Sequence, residues 1–132
     1  MPGETDLNQL IQQMKPELNP GEYVFSLTHS RDQAILTEAL CVFQENEGLT
    51  LILAKERADQ AQLPYSATCA WITLTVHSSL EAVGLTAAIS QALTKANISC
   101  NVVAAYYHDH LFVPLKDAER AMHVLQELAL LA

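Results

Sequence analysis

Glycine and proline are scarce, at four and five residues in a chain of 132. So little of either leaves no long linker and no low-complexity tract, and a compact, fully folded protein is expected. Basic residues are also few. Seven lysines and arginines face fifteen aspartates and glutamates, for a formal charge of −8. Ten of the acids and four of the bases fall in residues 1–66, so the acidity sits mainly in the first half. There is no Lys/Arg cluster. A phosphate backbone or an anionic bilayer would be repelled, which disfavours nucleic acid and membrane as partners. No apolar run approaches the roughly 18 residues of a membrane span. The opening "MPGETDLNQL" has neither the basic nor the apolar region of a signal peptide. The three cysteines, Cys41, Cys69 and Cys100, lack any CxxC-type spacing. Reduced, buried thiols in a cytoplasmic protein are expected. No Gly-rich phosphate loop is present, and no Ser-His-Asp or Cys-His arrangement can be assembled. The expectation is a protein that is not an enzyme, with no catalytic residue and no cofactor.

What the chain does have is apolar residues in clear periods. Half of it is hydrophobic, enough for one ordinary core or two small subdomains sharing one. Leu7, Leu10, Ile11 and Met14 recur at helical spacing after Thr5 and Asp6, which predicts a helix over 6–15. "NPG" at 19–21 reads as a turn, and 22–29 alternates as a strand. "ALCVFQ" and "LTLILA" flank "ENEG", a hairpin with Gly48 at positive φ. Residues 55–62 read as a short helix before Pro64.

In the second half, "CAWITLTV" (69–76) puts Ala70, Ile72, Leu74 and Val76 on one strand face. "GLTAAISQALTKANI" places Leu85, Ala88, Ile89, Ala92 and Ala96 on one helical stripe. "SCNVVAAYY" and "HLFVP" are strands, the latter stopped by Pro114. The last segment is a helix with Asp117 near its cap. The order strand, helix, strand, strand, helix is a ferredoxin-like unit without its last strand. The N-terminal half or another subunit could fill that position. The expected division is 1–66, an αβββ half, and 67–132, a βαββα half. The fold class is α+β, with an antiparallel sheet and helices packed on one face.

Two stretches invite a functional reading. In "VVAAYYHDHLFVP" a strand would point His108 and His110 to one face, a geometry that can suit zinc. Only two imidazoles converge there, because His29, His77 and His123 are scattered. The plainer reading is a tight strand–strand turn with Asp109 in it and no metal. Small side chains at Ala104 and Ala105 leave room for a helix or a ligand. In "HSSLEAVGL", Ser78 and Glu81 fit an S-x-x-E capping box. The same stretch could receive a free amino acid. Backbone amides at a helix start attract a carboxylate, Glu81 could pair with an ammonium group, and Gly84 would allow close approach. Both readings stand on the residues alone.

The stretch "AVGLTAAISQALTKANISCNVVAAYYHDHLFVP" resembles the ACT domain. The match is to its small stand-alone bacterial branch, related to the ACT modules of eukaryotic arginine sensors. "VGL" at 83–85, "ANI" at 96–98 and "DHLFVP" at 109–114 carry the resemblance. Val83 stands where many ligand-binding members have proline. The resemblance implies two ACT-like halves, the first degenerate, and an amino acid or similar metabolite as ligand. It implies a site made by Ser78, Glu81, Val83, Gly84 and Leu85 with Ala105, Tyr106 and Asp109. Gly84 is expected in helical conformation beneath the ligand's carboxylate. A homo-oligomer is expected, and the alternative is an oligomerisation module that has lost its ligand.

Overall fold

The structure, a computed structural model, describes residues 6–76 and 82–132. Two compact units emerge, one comprising Met1–Pro20 with Ala70–Ala132, the other Gly21–Cys69.

The first unit contains helix α1 (Leu7–Gln12), strand β1 (Pro16–Leu18) and most of strand β5 (Thr68–Leu74). Helix α4 (Leu85–Lys95), strands β6 (Asn101–Ala104) and β7 (Asp109–Pro114), and helix α5 (Ala118–Leu131) complete it. A single 3₁₀ turn, Leu115–Asp117, leads into α5. The sheet runs β1-β5-β7-β6. β1 lies antiparallel to β5, with Pro16 opposite Leu74 and Leu18 opposite Ile72. Thus the N-terminal segment takes the sheet position that the second half lacks.

Sequence pattern could not show β1. It is three residues long, begins with a proline that cannot donate to a ladder, and follows Lys15 at φ 40°. Its strand conformation comes from pairing with β5. Period-two alternation then divides the sides of the sheet. Ala70, Ile72 and Leu74 of β5 and Leu111 and Val113 of β7 pack against the helices. Leu10 of α1 with Met14 just after it, Leu85, Ile89 and Leu93 of α4, and Ala121 and Leu125 of α5 close the core. All three helices therefore cover one side.

The second unit holds β2 (Tyr23–Thr28), α2 (Gln33–Glu38), β3 (Cys41–Glu45), β4 (Gly48–Ala54) and α3 (Lys55–Gln60). The first residues of β5 also belong to it, Cys69 pairing with Tyr23 and Thr68 with Val24. The order is β3-β4-β2-β5. Val24, Leu49, Leu51, Leu53 and Ala58 form its core, with Ile35 and Leu36 of α2 beside them. The sequence reading had no α2 in this half. The helix has six residues, too few for a periodic signal, and local capping plus the contact of Ile35 and Leu36 hold it. Counting by role, both units reproduce one strand order: an opening strand, a helix, a hairpin, a helix and a closing strand beside the opener.

Candidate functional site

The helix start at α4 differs from its expected form. Gly84 is the N-cap, with φ 100° and ψ −14°, in the left-handed region and not in helical conformation. A helix cannot run through such a residue, so α4 opens at Leu85 and not at the S-x-x-E stretch. Ser78 and Glu81 lie in 77–81, outside the described residues. Having no side chain, Gly84 makes no capping hydrogen bond to the first turn. A Cβ built on Gly84 would lie 3.2 Å from Leu7 Cδ2 of α1. The packing above this glycine is thus against α1. Leu85 turns its side chain into the core, while Val83 is 83% exposed.

The hairpin also departs from expectation. Ala105 N–H donates to His108 O at 3.0 Å, closing the turn before Asp109. Asp109 is not in the turn. It opens β7 opposite Ala104 and is only 8% exposed. Alternation explains this, because residue 109 shares its side of the strand with Leu111 and Val113, the helix side. Tyr106 and Tyr107 take the tip, their rings edge to face with centroids 5.0 Å apart. Tyr106 is 70% exposed. His108 Nδ1 lies 3.2 Å from Val76 O. That bond ties the hairpin to the segment that follows β5.

His108 and His110 do not act as a pair. His110 turns to the sheet side away from the helices. There Trp71 Nε1–H donates to its Nδ1 at 3.0 Å, and Thr73 Oγ1 stands 3.1 Å from the same nitrogen. Asn19 Nδ2 donates to Thr73 Oγ1 at 2.9 Å and to Trp71 O at 3.2 Å. Phe112 stacks on Trp71 with centroids 6.4 Å apart. With Nδ1 accepting from Trp71, the proton of neutral His110 sits on Nε2. Burial lowers its pKa from 6.5, neighbouring His108 lowers it further, and Asp109 opposes both. This cluster escaped sequence reasoning. Its signal was present in the alternation that puts Trp71 and Thr73 opposite Ile72. Burial pushes the Cys69 thiol up and Cys100 up to about 11, so these two stay protonated. Among the described residues no group of three or more His, Cys, Asp or Glu is placed to hold a metal.

The equivalent loop of the second unit, between β2 and α2, is closed on itself. Thr28 Oγ1 accepts from Ser30 N, Ser30 Oγ from Asp32 N, and Asp32 Oδ1 from Ala34 N. Side chains thus satisfy the loop's own amides in sequence. Two clefts lie in this unit. One of about 450 Å³ is lined by Tyr23, Lys55, Glu56 and Asp59. The other, of about 310 Å³, is lined by His29, Arg31, Glu45 and Gly48. In the first, Asp59 is occupied by Lys55 at 2.9 Å and Tyr65 OH at 2.6 Å. The charged side chains of both clefts either pair with one another or stand in open solvent. Chemistry favours the α4 loop, whose cap has no side chain.

Two ACT-domain family models match the chain, one over residues 2–70 and the other over residues 66–127. The chain belongs to the ACT-domain family. No curated protein matches it. A Vibrio cholerae protein of unknown function, described as a possible transport protein, is 48% identical. That match covers 93% of this chain and 95% of the other at a TM-score of 0.83. The ligand-free regulatory subunit of aspartate kinase from Thermus thermophilus is 12% identical at a TM-score of 0.63, with 86% and 95% covered. Aspartokinase III of E. coli, in complex with aspartate and ADP, is 15% identical at 0.59, and 32% of its chain is covered. Both kinases share the ACT fold with this chain. No described helix is long and apolar enough to cross a membrane.

Proposed function

We propose that this protein is a non-catalytic regulatory module that binds an amino acid or a similar small metabolite at residues 77–85. The observation that carries this reading is the contrast between the two βα loops. The β2–α2 loop consumes its own donors, whereas α4 is capped by a glycine without a side chain. Membership in a family of regulatory modules supports the role, and the fold shared with aspartate-kinase regulatory subunits agrees with it. In this reading the first-turn amides after Gly84 receive the carboxylate. Glu81 pairs with the ammonium group. Val83 and Tyr106, both exposed, meet the ligand's side chain. Leu85 and Asp109 support the site from the core side, and Ala105 keeps the hairpin small beside it. The repeat halves are 1–66 and 67–132, and the protein works in the cytoplasm as a homo-oligomer. It transmits its signal through another protein or through its oligomeric state.

Isothermal titration against each of the twenty amino acids tests this, with heat expected for one or a few of related chemistry. No heat from any of them removes the amino-acid reading. A second reading has its own observation. Leu7 packs over Gly84, as a loop that has given up its ligand would allow, and the module then serves oligomerisation alone. Ligand-independent assembly with no titration heat would select it.

A further inference from the structure

In the first unit, the sheet side away from the helices carries a hydrogen-bonded cluster that the amino-acid reading does not use. Trp71 Nε1–H donates to His110 Nδ1 at 3.0 Å, and Thr73 Oγ1 stands 3.1 Å from the same nitrogen. An indole N–H only donates, and an imidazole nitrogen accepts only while it carries no proton. A hydroxyl does either. Asn19 Nδ2 donates to Thr73 Oγ1 at 2.9 Å, which uses one lone pair of that oxygen and leaves the second for a further donor. An acceptor is therefore already in place beside Nδ1 for the state in which that nitrogen is protonated. Trp71 is the member of the cluster that has no second role. Its ring stacks on Phe112, which is 2% exposed.

We propose that these side chains form a pH-sensitive latch on Trp71: when His110 Nδ1 takes up a proton, it donates to Thr73 Oγ1 and expels the indole N–H. The two arrangements differ by one proton. Thr73 keeps its bond from Asn19 in both, because its oxygen accepts from each neighbour. Two donors cannot share the space between Trp71 and His110. A half-buried N–H without an acceptor costs free energy, so the indole turns to water and tips off the Phe112 ring. Burial disfavours the charged imidazole, His108 on the same strand adds to this, and Asp109 opposes both. From β6, Val103 stands opposite His110 and brings no charge. Glu17 of β1 lies opposite Thr73, so its exposed carboxylate shares this side of the sheet. Acid thus uncovers an aromatic surface on the sheet while the helices on the other side stay packed.

The inference is independent of the amino-acid reading, and its test uses the full chain without ligand. Trp71 is the chain's only tryptophan, so its emission reports the latch directly. Emission is followed from pH 7.5 to pH 4.5 beside far-ultraviolet circular dichroism. The expected result is a one-proton change in emission centred below 6.5, with the circular dichroism unchanged. His110→Gln abolishes the change, because its amide oxygen accepts from the indole and does not titrate. Thr73→Val, which deprives charged His110 of its acceptor, moves the midpoint lower. Four results overturn the proposal. They are a flat emission, a change that His110→Gln retains, a midpoint that Thr73→Val leaves in place, and a change that coincides with loss of circular dichroism. Should a variant fold poorly, nitrogen NMR of the His110 ring in the wild type decides. Passage from the Nε2–H tautomer to the doubly protonated ring at the emission midpoint supports the latch, and passage at any other pH overturns it.

Discussion

Gly84 decides how the α4 loop responds to mutation. Were it helical, alanine would stabilise the chain by restricting its unfolded state. At φ 100°, with Leu7 Cδ2 3.2 Å from the new methyl, the sign reverses. Gly84→Ala is expected to cost about 1–2 kcal/mol, the penalty of a left-handed residue bearing a Cβ. The urea midpoint reads it, and an unchanged or raised midpoint would place the glycine back in the helix. His110 offers a pH test. Its folded pKa lies below 6.5, so the unfolded chain takes up the proton first as pH falls. Stability is whole above that value and drops as pH descends from it toward the folded value. Denaturant midpoints at pH 7.5 and pH 5 should therefore separate more in wild type than in His110→Gln. Equal separations would show that burial does not hold the imidazole neutral. The residue types at these positions were legible in the sequence, but their states were not. A backbone dihedral at Gly84 and a tautomer at His110 follow from neighbours that are distant along the chain.

At the scale of elements, long periodic segments could be read and short paired ones could not. α4 and α5 follow from their apolar stripes, and Gly48 at φ 146° marks the expected hairpin. β1 and α2 have three and six residues. Each depends on a contact with another element, which local pattern does not encode. Asp109 shows the same limit, since one residue of shift in the turn moved it from the rim into the core. α1 tests how far the N-terminal segment belongs to the first unit. Leu10 is fully buried between α1, α4 and α5, in a six-residue helix that could not persist in isolation. Leu10→Ala should cost about 2–5 kcal/mol, as other buried leucine truncations do. Hydrogen exchange should show the loss in β5, β7 and α4. Loss confined to α1 would mean that the helix is an appendage.

For the whole molecule, two ACT units share one strand order built from interleaved stretches of chain. The first unit gains its closing strand from the N-terminus, and the second gains its own from the start of β5. Family and fold were within reach of sequence, because "VGL", "ANI" and "DHLFVP" fall at a helix start, a helix end and a strand. The candidate site was legible only as a stretch of chain, since the dihedral of Gly84 and the burial of Asp109 follow from contacts with other elements. The central claim is that a small zwitterion binds beside Gly84. Amide chemical shifts followed during titration with a pool of the twenty amino acids test it most directly. The account predicts saturable shifts at Val83–Ala87 and at Ala105–Asp109, with the β2–α2 loop unmoved. Shifts confined to the 21–69 unit, or none at all, would contradict it.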